Sequence, residues 1–317
     1  MYHFYIWSMG LLEASKHSGR PSKIRIFRAF HFVLYLIISY LENVLINITP
    51  NSAIRKSAPS CGTKKVIASL TSFPARIQSV HKAIKSILLQ TTRPQKVVLW
   101  LADEQFREQE LPSQLLKLCK YGLEIKYCND LRSHKKYYYA LQDQAENELV
   151  ITFDDDIIYH PNTIRRLVDT HNLYPNDIVC SAAHRITLDK AGNVNHYKLW
   201  ESVYDNNIST QLLSPLTGSG CLYPANVMSP ETFVENDIRE LAFSADDLWI
   251  AMMARLSNTQ IRTVAKVART FSVVSSSQSV HLAQVNCIGD GNDRAILNII
   301  HKYPGILTEL RYEYCAD

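Results

Sequence analysis

The sequence LVITFDDDIIYHP occupies residues 149–161 and decides the predicted fold. Its first five residues are mostly apolar and β-prone, which is typical of a strand buried in a sheet. The strand is followed directly by Asp154, Asp155 and Asp156, whose mutual repulsion and desolvation are costly unless a cation offsets them. Carboxylate oxygens favour Mg²⁺ or Mn²⁺, and Mg²⁺ typically binds one or two carboxylates together with substrate phosphates. The stretch therefore predicts a buried strand that ends in a metal and phosphate site.

The three aspartates are expected to divide into two groups. Side chains alternate along an extended segment, so Asp154 and Asp156 should point to one side and Asp155 to the other. We assign Asp156 to the metal and Asp154 to a nucleotide ribose. The alternative is that the aspartates cap a helix that begins near Pro161, since aspartate is common at helix starts.

Strands and helices alternate on the N-terminal side of this stretch. Apolar runs at 66–70, 97–101 and 123–127 predict three more strands. The spacing of apolar residues predicts a helix after the first run, a short helix near 115–118 and another over 138–145. This order predicts an α/β fold in which a mixed, mostly parallel sheet has helices on both faces. Ligands of such sheets bind beyond the carboxyl ends of the strands, where the acids of the opening stretch lie.

A second acidic segment, SADDLWIAMMARL at 244–256, places Asp246 and Asp247 at the start of a predicted helix. Acids at a helix N-terminus are stabilised by the helix dipole and need no other role. Transfer to a hydroxyl, however, requires a base, and a carboxylate facing a metal-bound diphosphate would provide one. We therefore interpret both acids as candidate catalytic residues. Trp249 in the same helix is expected in the core, whereas Trp200 fits either the core or a sugar-stacking position.

The segment TGSGCLYPA at 217–225 carries Gly218 and Gly220. Two glycines beside small and aromatic residues are typical of a loop whose backbone approaches a ligand closely, and we expect that ligand to be a sugar. A plain turn is the alternative.

The composition is that of an ordinary globular protein. The chain has 317 residues with 34 Lys plus Arg against 30 Asp plus Glu, a balance that gives no argument for nucleic-acid binding. The length suits one catalytic domain, taken as 61–290, with an N-terminal extension over 1–60 and a C-terminal helical segment over 291–317. The seven cysteines lack CxxC spacing, which favours a reducing compartment and excludes a clustered zinc site.

The N-terminal extension has basic residues at 16–28 ahead of an apolar run at 30–41. The run is short for a bilayer span, and the chain opens without the pattern of a secretory signal. It is typical of a helix in the membrane interface, whose basic flank is attracted to anionic lipid. This predicts peripheral membrane contact through residues 16–48. A helix packed on the domain or used for oligomerisation is the alternative.

Taken together, the motifs resemble a bacterial glycosyltransferase of the GT-A fold, close to family 2 and to the capsule or lipopolysaccharide type. The resemblance spans about residues 64 to 285. The segments that carry it are IASLTSFPARI (67–77), SILLQTTRPQKVVLWLA (86–102), SHKKYYYAL (133–141), VITFDDDIIYHP (150–161) as the DxD-type motif, TGSGCLYPA (217–225) and SADDLWIAMM (244–253).

The resemblance implies roles for individual residues. Thr71, Phe73 and Arg76 would surround the nucleotide base. Lys136 or its neighbour Lys135 would reach a phosphate, and a solvated helix start is the alternative for both lysines. The carboxylates of Asp154 and Asp156 would hold ribose and metal-diphosphate, with Asp155 beside them in the nucleotide-sugar site. His281 would be a third metal ligand. Asp247 would be the catalytic base, but Asp246 replaces the family's usual Glu, so the choice between the two acids stays open.

The predicted activity is metal-dependent transfer of a sugar from a nucleotide sugar to a hydroxyl of a glycan or lipid-linked glycan, and the resemblance implies that the donor is a UDP-sugar. Inversion is expected, because no second carboxylate is clearly placed as a nucleophile. The setting implied is polysaccharide or lipopolysaccharide synthesis at the cytoplasmic face of the membrane. One alternative function is a sugar nucleotidyltransferase, which predicts a glycine-rich basic loop where SLTSFPARI (69–77) has no glycine and one arginine. A second alternative is a non-catalytic scaffold of the same fold.

Overall fold

The computed structural model describes residues 21–54, 64–203, 208–264, 272–274 and 290–316. In this part of the chain the helices are α1 (Pro21–Ile48), α2 (Val80–Leu88), α3 (Asp103–Phe106), α4 (Ser113–Leu116), α5 (Lys135–Gln142), α6 (Thr163–Leu173), α7 (Glu235–Leu241), α8 (Asp246–Leu256), α9 (Gly291–Lys302) and α10 (Gly305–Ala316). The strands are β1 (Lys65–Thr71), β2 (Lys96–Ala102), β3 (Leu123–Cys128), β4 (Glu148–Phe153), β5 (Ile157–Ile158), β6 (Ile178–Cys180), β7 (Ala183–Arg185), β8 (Glu201–Val203), β9 (Ser209–Thr210), β10 (Leu213–Pro215), β11 (Ser219–Tyr223), β12 (Ile261–Thr263) and β13 (Ser272–Val273).

The central sheet has the strand order β3-β2-β1-β4-β11-β6-β12-β9 among the described residues. Strands β1 to β4 are parallel, β11 runs antiparallel to both of its neighbours, and β12 is parallel to β6. A small sheet β10-β7-β8 and the pair β13-β5 lie beside it. The prediction of an α/β fold with a mixed, mostly parallel sheet is confirmed.

Helices cover both faces of the sheet, because β1, β2 and β4 are apolar on both sides. One face packs against α2 and α6 through side chains such as Ile84 and Leu167. The other packs against α5, whose Ala140 belongs to one buried cluster with Val98 and Val150. This burial on both faces explains why the strands read as continuous apolar runs.

The predicted helix over 138–145 begins and ends three residues earlier. Lys135 and Lys136 lie in its first turn and are buried, although their charges suggested a solvated start. Both lysines pair with carboxylates, Lys135 with Asp130 and Lys136 with Asp154, which makes their burial possible. The alternative that the aspartates cap the next helix does not hold, since Asn162 is the residue that precedes α6.

The terminal helices pack on this core. Helix α1 contacts α2 and β13, and its Asn43 donates to the backbone oxygen of Val273 at 2.8 Å. Helices α9 and α10 bury Ile299 and Leu310 in the same cluster as α8, so residues 291–316 pack into the same core as the β6 half of the sheet. Within the described residues, no helix combines the length and the apolar character needed to cross a bilayer.

Candidate functional site

A cleft of about 620 Å³ lies at the carboxyl ends of β1 to β4 and extends toward the start of α8. Its walls come from the loops that follow these strands, from the start of α5 and from the segment that leads into α8. The lining residues are Thr71, Ser72, Phe73, Arg76, Gln105, Asp130, Arg132, Ser133, Lys135, Lys136, Asp154, Asp155, Asp156, Tyr197, Ser244, Ala245, Asp246, Asp247, Leu248 and Asn292. Both predicted acidic segments therefore face one cavity.

The three aspartates after β4 have different surroundings. Asp155 is buried, accepts a hydrogen bond from the Ser72 hydroxyl at 2.5 Å, and pairs with Nη1 of Arg76 at 2.8 Å. Asp156 shares the same Arg76 nitrogen at 3.0 Å. Asp154 is the most exposed of the three and pairs with Nζ of Lys136 at 2.7 Å. Asp155 is thus held by two protein partners, although burial outweighs them and raises its pKa, whereas Asp154 and Asp156 are more exposed to the cleft.

The electrostatics of the cleft fit a divalent cation. Burial, followed by the charge of Asp154, raises the pKa of Asp156 to about 6, so this carboxylate lacks full compensation. The lining holds six carboxylates against four Lys and Arg side chains. A divalent cation would offset that excess, and Asp156 and Asp154 are the residues that would hold it.

The described residues hold no group of three or more His, Cys, Asp or Glu side chains positioned to bind a metal ion. The pair of carboxylates from Asp154 and Asp156 would still be enough for Mg²⁺ or Mn²⁺ if substrate phosphates completed the coordination. The predicted third ligand, His281, lies outside the described residues.

The two acids that open α8 are joined through Thr217. The Thr217 backbone N–H donates to Oδ1 of Asp247 at 2.8 Å, and its hydroxyl lies 2.5 Å from the same oxygen. The hydroxyl also lies 2.8 Å from Oδ2 of Asp246, which in turn pairs with Lys136 at 2.9 Å. Since both Thr217 groups meet Oδ1 of Asp247, Oδ2 is the oxygen that can take a proton from a bound hydroxyl.

The two acids differ in proton affinity. Burial opposes ionisation of Asp246, but the charge of Lys136, aided by His134, outweighs it and holds the pKa of Asp246 well below its ordinary value. Burial, followed by the charge of Asp246, raises the pKa of Asp247 to about 7. A carboxylate with a raised pKa is the better proton acceptor near neutral pH. The two neighbouring acids therefore differ: Asp247 is the better proton acceptor, and Asp246 stays ionised beside Lys136.

Lys136 connects the two acidic groups. Its side chain is 3% exposed, and its ammonium pairs with Asp154 on one side and Asp246 on the other. These two charges raise its pKa despite burial, so it remains a cation. It was predicted to reach a phosphate, which stays a prediction, and it lines the cleft beside Asp154.

The residues predicted around a nucleotide base also line the cleft. Thr71 donates to the backbone oxygen of Trp100 at 2.8 Å. The Arg76 guanidinium lies 5.4 Å from the centre of the Phe73 ring. Arg76 was predicted to face the base, and this stays a prediction; its guanidinium also pairs with Asp155 and Asp156. The structure therefore places it as the cation that keeps the two carboxylates together.

Gly218 and Gly220 occupy different environments. A Cβ on Gly218 would lie 1.8 Å from Oδ2 of Asp154, so this glycine makes room for the Asp154 carboxylate. Gly220 has φ +96° and faces Thr163 and Leu167 of α6. Both glycines were predicted to approach a sugar, and this stays a prediction; neither is among the residues that line the cleft, and Gly220 takes the left-handed conformation at an irregularity in β11.

Replacement of Gly218 by alanine should lower activity without unfolding the chain. The added methyl must displace the Asp154 carboxylate, and misplacement by about 1 Å costs up to roughly 100-fold in rate. We expect kcat/KM for sugar transfer to fall at least about tenfold. Gly305→Ala is the matched control, because nothing lies within 4 Å of its Cβ position. Wild-type kinetics in Gly218→Ala would show that the position of Asp154 does not matter.

Several functional residues escaped sequence reasoning. Ser72, Thr217 and Tyr159 are neutral hydroxyl residues within the quoted motifs, and only the folded chain shows which acids they hold. The Tyr159 hydroxyl accepts from the N–H of Asp154 at 2.7 Å and donates to the oxygen of Gly218 at 2.5 Å. It thereby fixes the backbone at the first aspartate.

The aromatic residues behind the cleft divide between the core and the wall. Trp249 is fully buried and donates to the backbone oxygen of Thr232, which confirms its place in the core. Trp200 is also buried and lies outside the lining. Tyr197, which packs on Trp200, lines the cleft together with Asn292. Neither of these lining residues belongs to a motif that the sequence analysis singled out.

Two solved structures of 4-diphosphocytidyl-2C-methyl-D-erythritol synthases are similar at low sequence identity. The one from Anaerococcus prevotii DSM 20548 has 12% identity and a TM-score of 0.42, covering 72% of this chain and 99% of that chain. The other has 9% identity and a TM-score of 0.42, covering 74% and 99%. No curated protein matches the chain significantly. Residues 74–228 match the model of Glycosyl transferase family 2, and this match supports a GT-A fold of the family 2 type for the chain.

Proposed function

We propose that the protein is a metal-dependent, inverting glycosyltransferase that uses a nucleotide-sugar donor. The observation that carries the proposal is that two acidic groups of different character face one cleft. Asp154 and Asp156 form an anionic pair beside Arg76 and Lys136. Asp247, at the start of α8, has a raised pKa. An activated sugar transfer needs both a site for a diphosphate and a base for the acceptor. The family match over residues 74–228 agrees with this reading.

The donor would lie along the carboxyl ends of β1 to β4. Thr71 and Phe73 would contact the nucleoside, Asp154 the ribose, and Asp156 with Asp154 a Mn²⁺ or Mg²⁺ ion. The ion would neutralise the leaving diphosphate. Lys136 adds a buried positive charge beside Asp154 on the phosphate side. UDP is the nucleotide we propose for the donor.

The acceptor would be activated by Asp247. Its Oδ2 would take the proton of a sugar hydroxyl as the oxygen bonds to the anomeric carbon, while the bond from that carbon to the diphosphate oxygen breaks. Attack from the face opposite the leaving group inverts the anomeric configuration, and no covalent enzyme intermediate is required. Thr217 holds Oδ1 of Asp247, which keeps the other oxygen directed at the acceptor.

The proposal is tested by incubating the protein with a panel of nucleotide sugars, with Mn²⁺ or with EDTA. Slow donor hydrolysis that releases a nucleoside diphosphate and a free sugar only in the presence of Mn²⁺ is expected. Release of a nucleoside monophosphate and a sugar phosphate would favour the nucleotidyltransferase rival. Absence of any cleavage and of any Mn²⁺-assisted nucleotide binding would favour the scaffold rival and remove the proposal. NMR of a transfer product would test inversion.

The pH dependence of transfer should follow the carboxyl group of Asp247. Because burial and Asp246 raise its pKa to about 7, the group is protonated and inactive as a base at lower pH. We expect kcat/KM to fall about tenfold per pH unit below that value and to level off above it. The measurement is a kcat/KM profile at saturating Mn²⁺. A flat profile from about pH 5 to 8 would contradict the assignment of Asp247 as base.

We also propose that α1 contacts an anionic membrane surface. Its exposed apolar side chains recur at helical spacing, namely Val33, Leu36, Ile37, Tyr40, Leu45 and Ile48. The opposite side carries buried Ile38, Asn43 and Ile46 against the domain. The sequence from residue 14 to 41 has five Lys and Arg residues and no acid. Anionic lipid headgroups would compensate this charge, whereas a second copy of the helix would not. Such contact would place the enzyme at the inner face of the cytoplasmic membrane, where lipid-linked glycans of polysaccharide or lipopolysaccharide synthesis are available as acceptors.

Membrane contact predicts the behaviour of a double variant, Leu36→Gln with Leu45→Gln. Two apolar side chains that no longer enter lipid should lower the fraction bound to phosphatidylglycerol vesicles at least about tenfold. Flotation of the full chain with these vesicles, and with neutral phosphatidylcholine vesicles, measures the effect. Leu173→Gln is the control, because this leucine is 74% exposed on α6. Equal flotation of all variants, or dimerisation without flotation, would contradict lipid contact.

A further inference from the structure

The two ends of the cleft are formed by different parts of the fold. Gln105 follows β2 and Asp130 follows β3 toward one edge of the sheet, and the aspartates that follow β4 lie nearer its middle. Tyr197 lies between β7 and β8, beyond β6, and Asn292 lies in the first turn of α9. These two residues therefore line the end of the cleft that belongs to the β6 half of the molecule.

Charge also differs between the two ends. The cations that line the cleft are Arg76, Arg132, Lys135 and Lys136, and all come from the loops after β1 and β3 or from the start of α5. The β6 end instead has Asp246 and Asp247 beside it, and Asp293 pairs with His196 at 3.4 Å. These four cations offset the four carboxylates of the same end, so an anionic nucleotide with a divalent ion fits there, whereas the second end adds only acids and suits a neutral ligand.

Tyr197 is fixed before any ligand arrives. Its backbone N–H donates to Oδ1 of Asp293 at 2.7 Å, and its hydroxyl pairs with Nδ1 of His184 at 2.8 Å. The ring packs on Trp200 with centres 5.1 Å apart. Asp293 lies in α9, so this helix holds the tyrosine in place. A half-buried aromatic ring with fixed orientation is a surface on which the apolar face of a sugar can pack at small entropic cost.

Asn292 complements the ring. Its side chain is buried and lines the same end of the cleft. An amide both donates and accepts hydrogen bonds, which matches the hydroxyl groups of a saccharide. Leu248 adds an apolar contact next to Asp247. The combination of ring, amide and apolar side chain next to a base is suited to carbohydrate recognition.

We propose that Tyr197 and Asn292 form the acceptor subsite, and that its ligand is an uncharged saccharide whose ring packs on Tyr197 and whose hydroxyl faces Asp247. The proposal rests on the glycosyltransferase function, because it divides the same cleft into a donor end and an acceptor end. It assigns the C-terminal helix α9 a part in acceptor binding through Asn292 and through the Asp293 bond to Tyr197.

Direct binding tests the subsite without a donor. Saturation-transfer NMR on the full chain would use the methyl glycosides of glucose, galactose and N-acetylglucosamine as probes. Wild type should bind at least one probe, Tyr197→Phe should retain binding, and Tyr197→Ala should weaken it about tenfold. Asn292→Leu should weaken binding to a similar extent. Tyr312→Ala is the matched control, since Tyr312 is 75% exposed on α10. Binding unchanged in Tyr197→Ala, or no binding by wild type, would overturn the proposal.

Kinetics separate the subsite from the donor site. With a nucleotide sugar, Mn²⁺ and the methyl glycoside bound best, the ratio of transfer to donor hydrolysis should fall about tenfold in Tyr197→Ala and stay near wild type in Tyr197→Phe. Equal loss of transfer and hydrolysis would place Tyr197 on the donor instead and overturn the subsite. Failure of the proposed function has a different signature, because wild type would then cleave no donor while glycoside binding could still be measured.

Discussion

Replacement of Asp247 by asparagine is expected to lower the kcat of sugar transfer by roughly 100-fold to 10,000-fold, the usual contribution of a positioned general base. An amide can still accept hydrogen bonds from Thr217 through its oxygen, so the local geometry should persist. It cannot take a proton from an acceptor hydroxyl. Initial-rate measurements with donor, acceptor and Mn²⁺ at about pH 8 give the effect, since the wild-type carboxylate is ionised there.

The same substitution should increase the stability of the protein. The pKa of Asp247 is higher in the folded chain than in the unfolded chain, so folding binds a proton between about pH 4 and 7. The stabilisation from this proton is present at low pH and is lost as the pH rises through about 7. Above that value the wild type carries a buried, ionised carboxylate beside Asp246. Asp247→Asn should therefore raise the free energy of unfolding by about 1 to 2 kcal/mol at about pH 8 and by much less at about pH 5.

Asp246→Asn provides the contrast. Its carboxylate pairs with the buried Lys136, and removal of one member of a buried ion pair typically costs about 3 to 5 kcal/mol. Asp169→Asn on the surface of α6 is the control, because its side chain is 65% exposed. If Asp247→Asn were destabilising and fully active while Asp246→Asn were stable and inactive, the base would have to be reassigned to Asp246. Chemical unfolding at the two pH values, alongside kinetics, decides between them.

The fold could be predicted because its signals are local. Buried parallel strands such as β1 and β4 are continuous apolar runs, and the acids that follow them mark the carboxyl edge of the sheet. The exact bounds of α5 were harder to predict from the sequence. Lys135 and Lys136 are buried in its first turn only because Asp130, Asp154 and Asp246, which are distant in sequence or across a turn, compensate their charges.

The differences between the individual acids of the site could not be predicted, because they arise from tertiary contacts. Sequence placed Asp246 and Asp247 side by side without a means to choose between them. The difference in their proton affinities arises from Lys136, which lies 110 residues before Asp246 and pairs with it. Likewise, side-chain alternation gives Asp155 a direction but does not reveal that Ser72 and Arg76 hold it. Neutral partners such as Thr217 carry no distinctive sequence signal, so only the folded chain identifies them.

Asp156→Asn should abolish Mn²⁺-assisted binding of a nucleoside diphosphate and lower kcat/KM for transfer by roughly 1,000-fold or more, because a metal supplies several kcal/mol to a leaving diphosphate. Folding should survive. Arg76 still pairs with Asp155 at 2.8 Å, and the substitution removes a carboxylate whose pKa is raised by burial and by Asp154. Calorimetric titration of the protein with UDP, in Mn²⁺ and in EDTA, measures the loss of binding.

Asp155→Asn is the matched comparison for that experiment, because the two substitutions remove the same charge one residue apart. Asp155 is 5% exposed and is held by Ser72 and Arg76, so its loss should weaken the fold more than the folded protein's affinity for UDP and Mn²⁺. For Asp156→Asn we expect the opposite: the affinity for UDP and Mn²⁺ is lost, and the stability of the fold is kept. This reciprocal pattern would arise only if the cation binds on the side of Asp156 and Asp154. A variant Asp156→Asn that binds UDP and Mn²⁺ as tightly as wild type would remove the metal from these residues, and with it the diphosphate site on which the transfer mechanism depends.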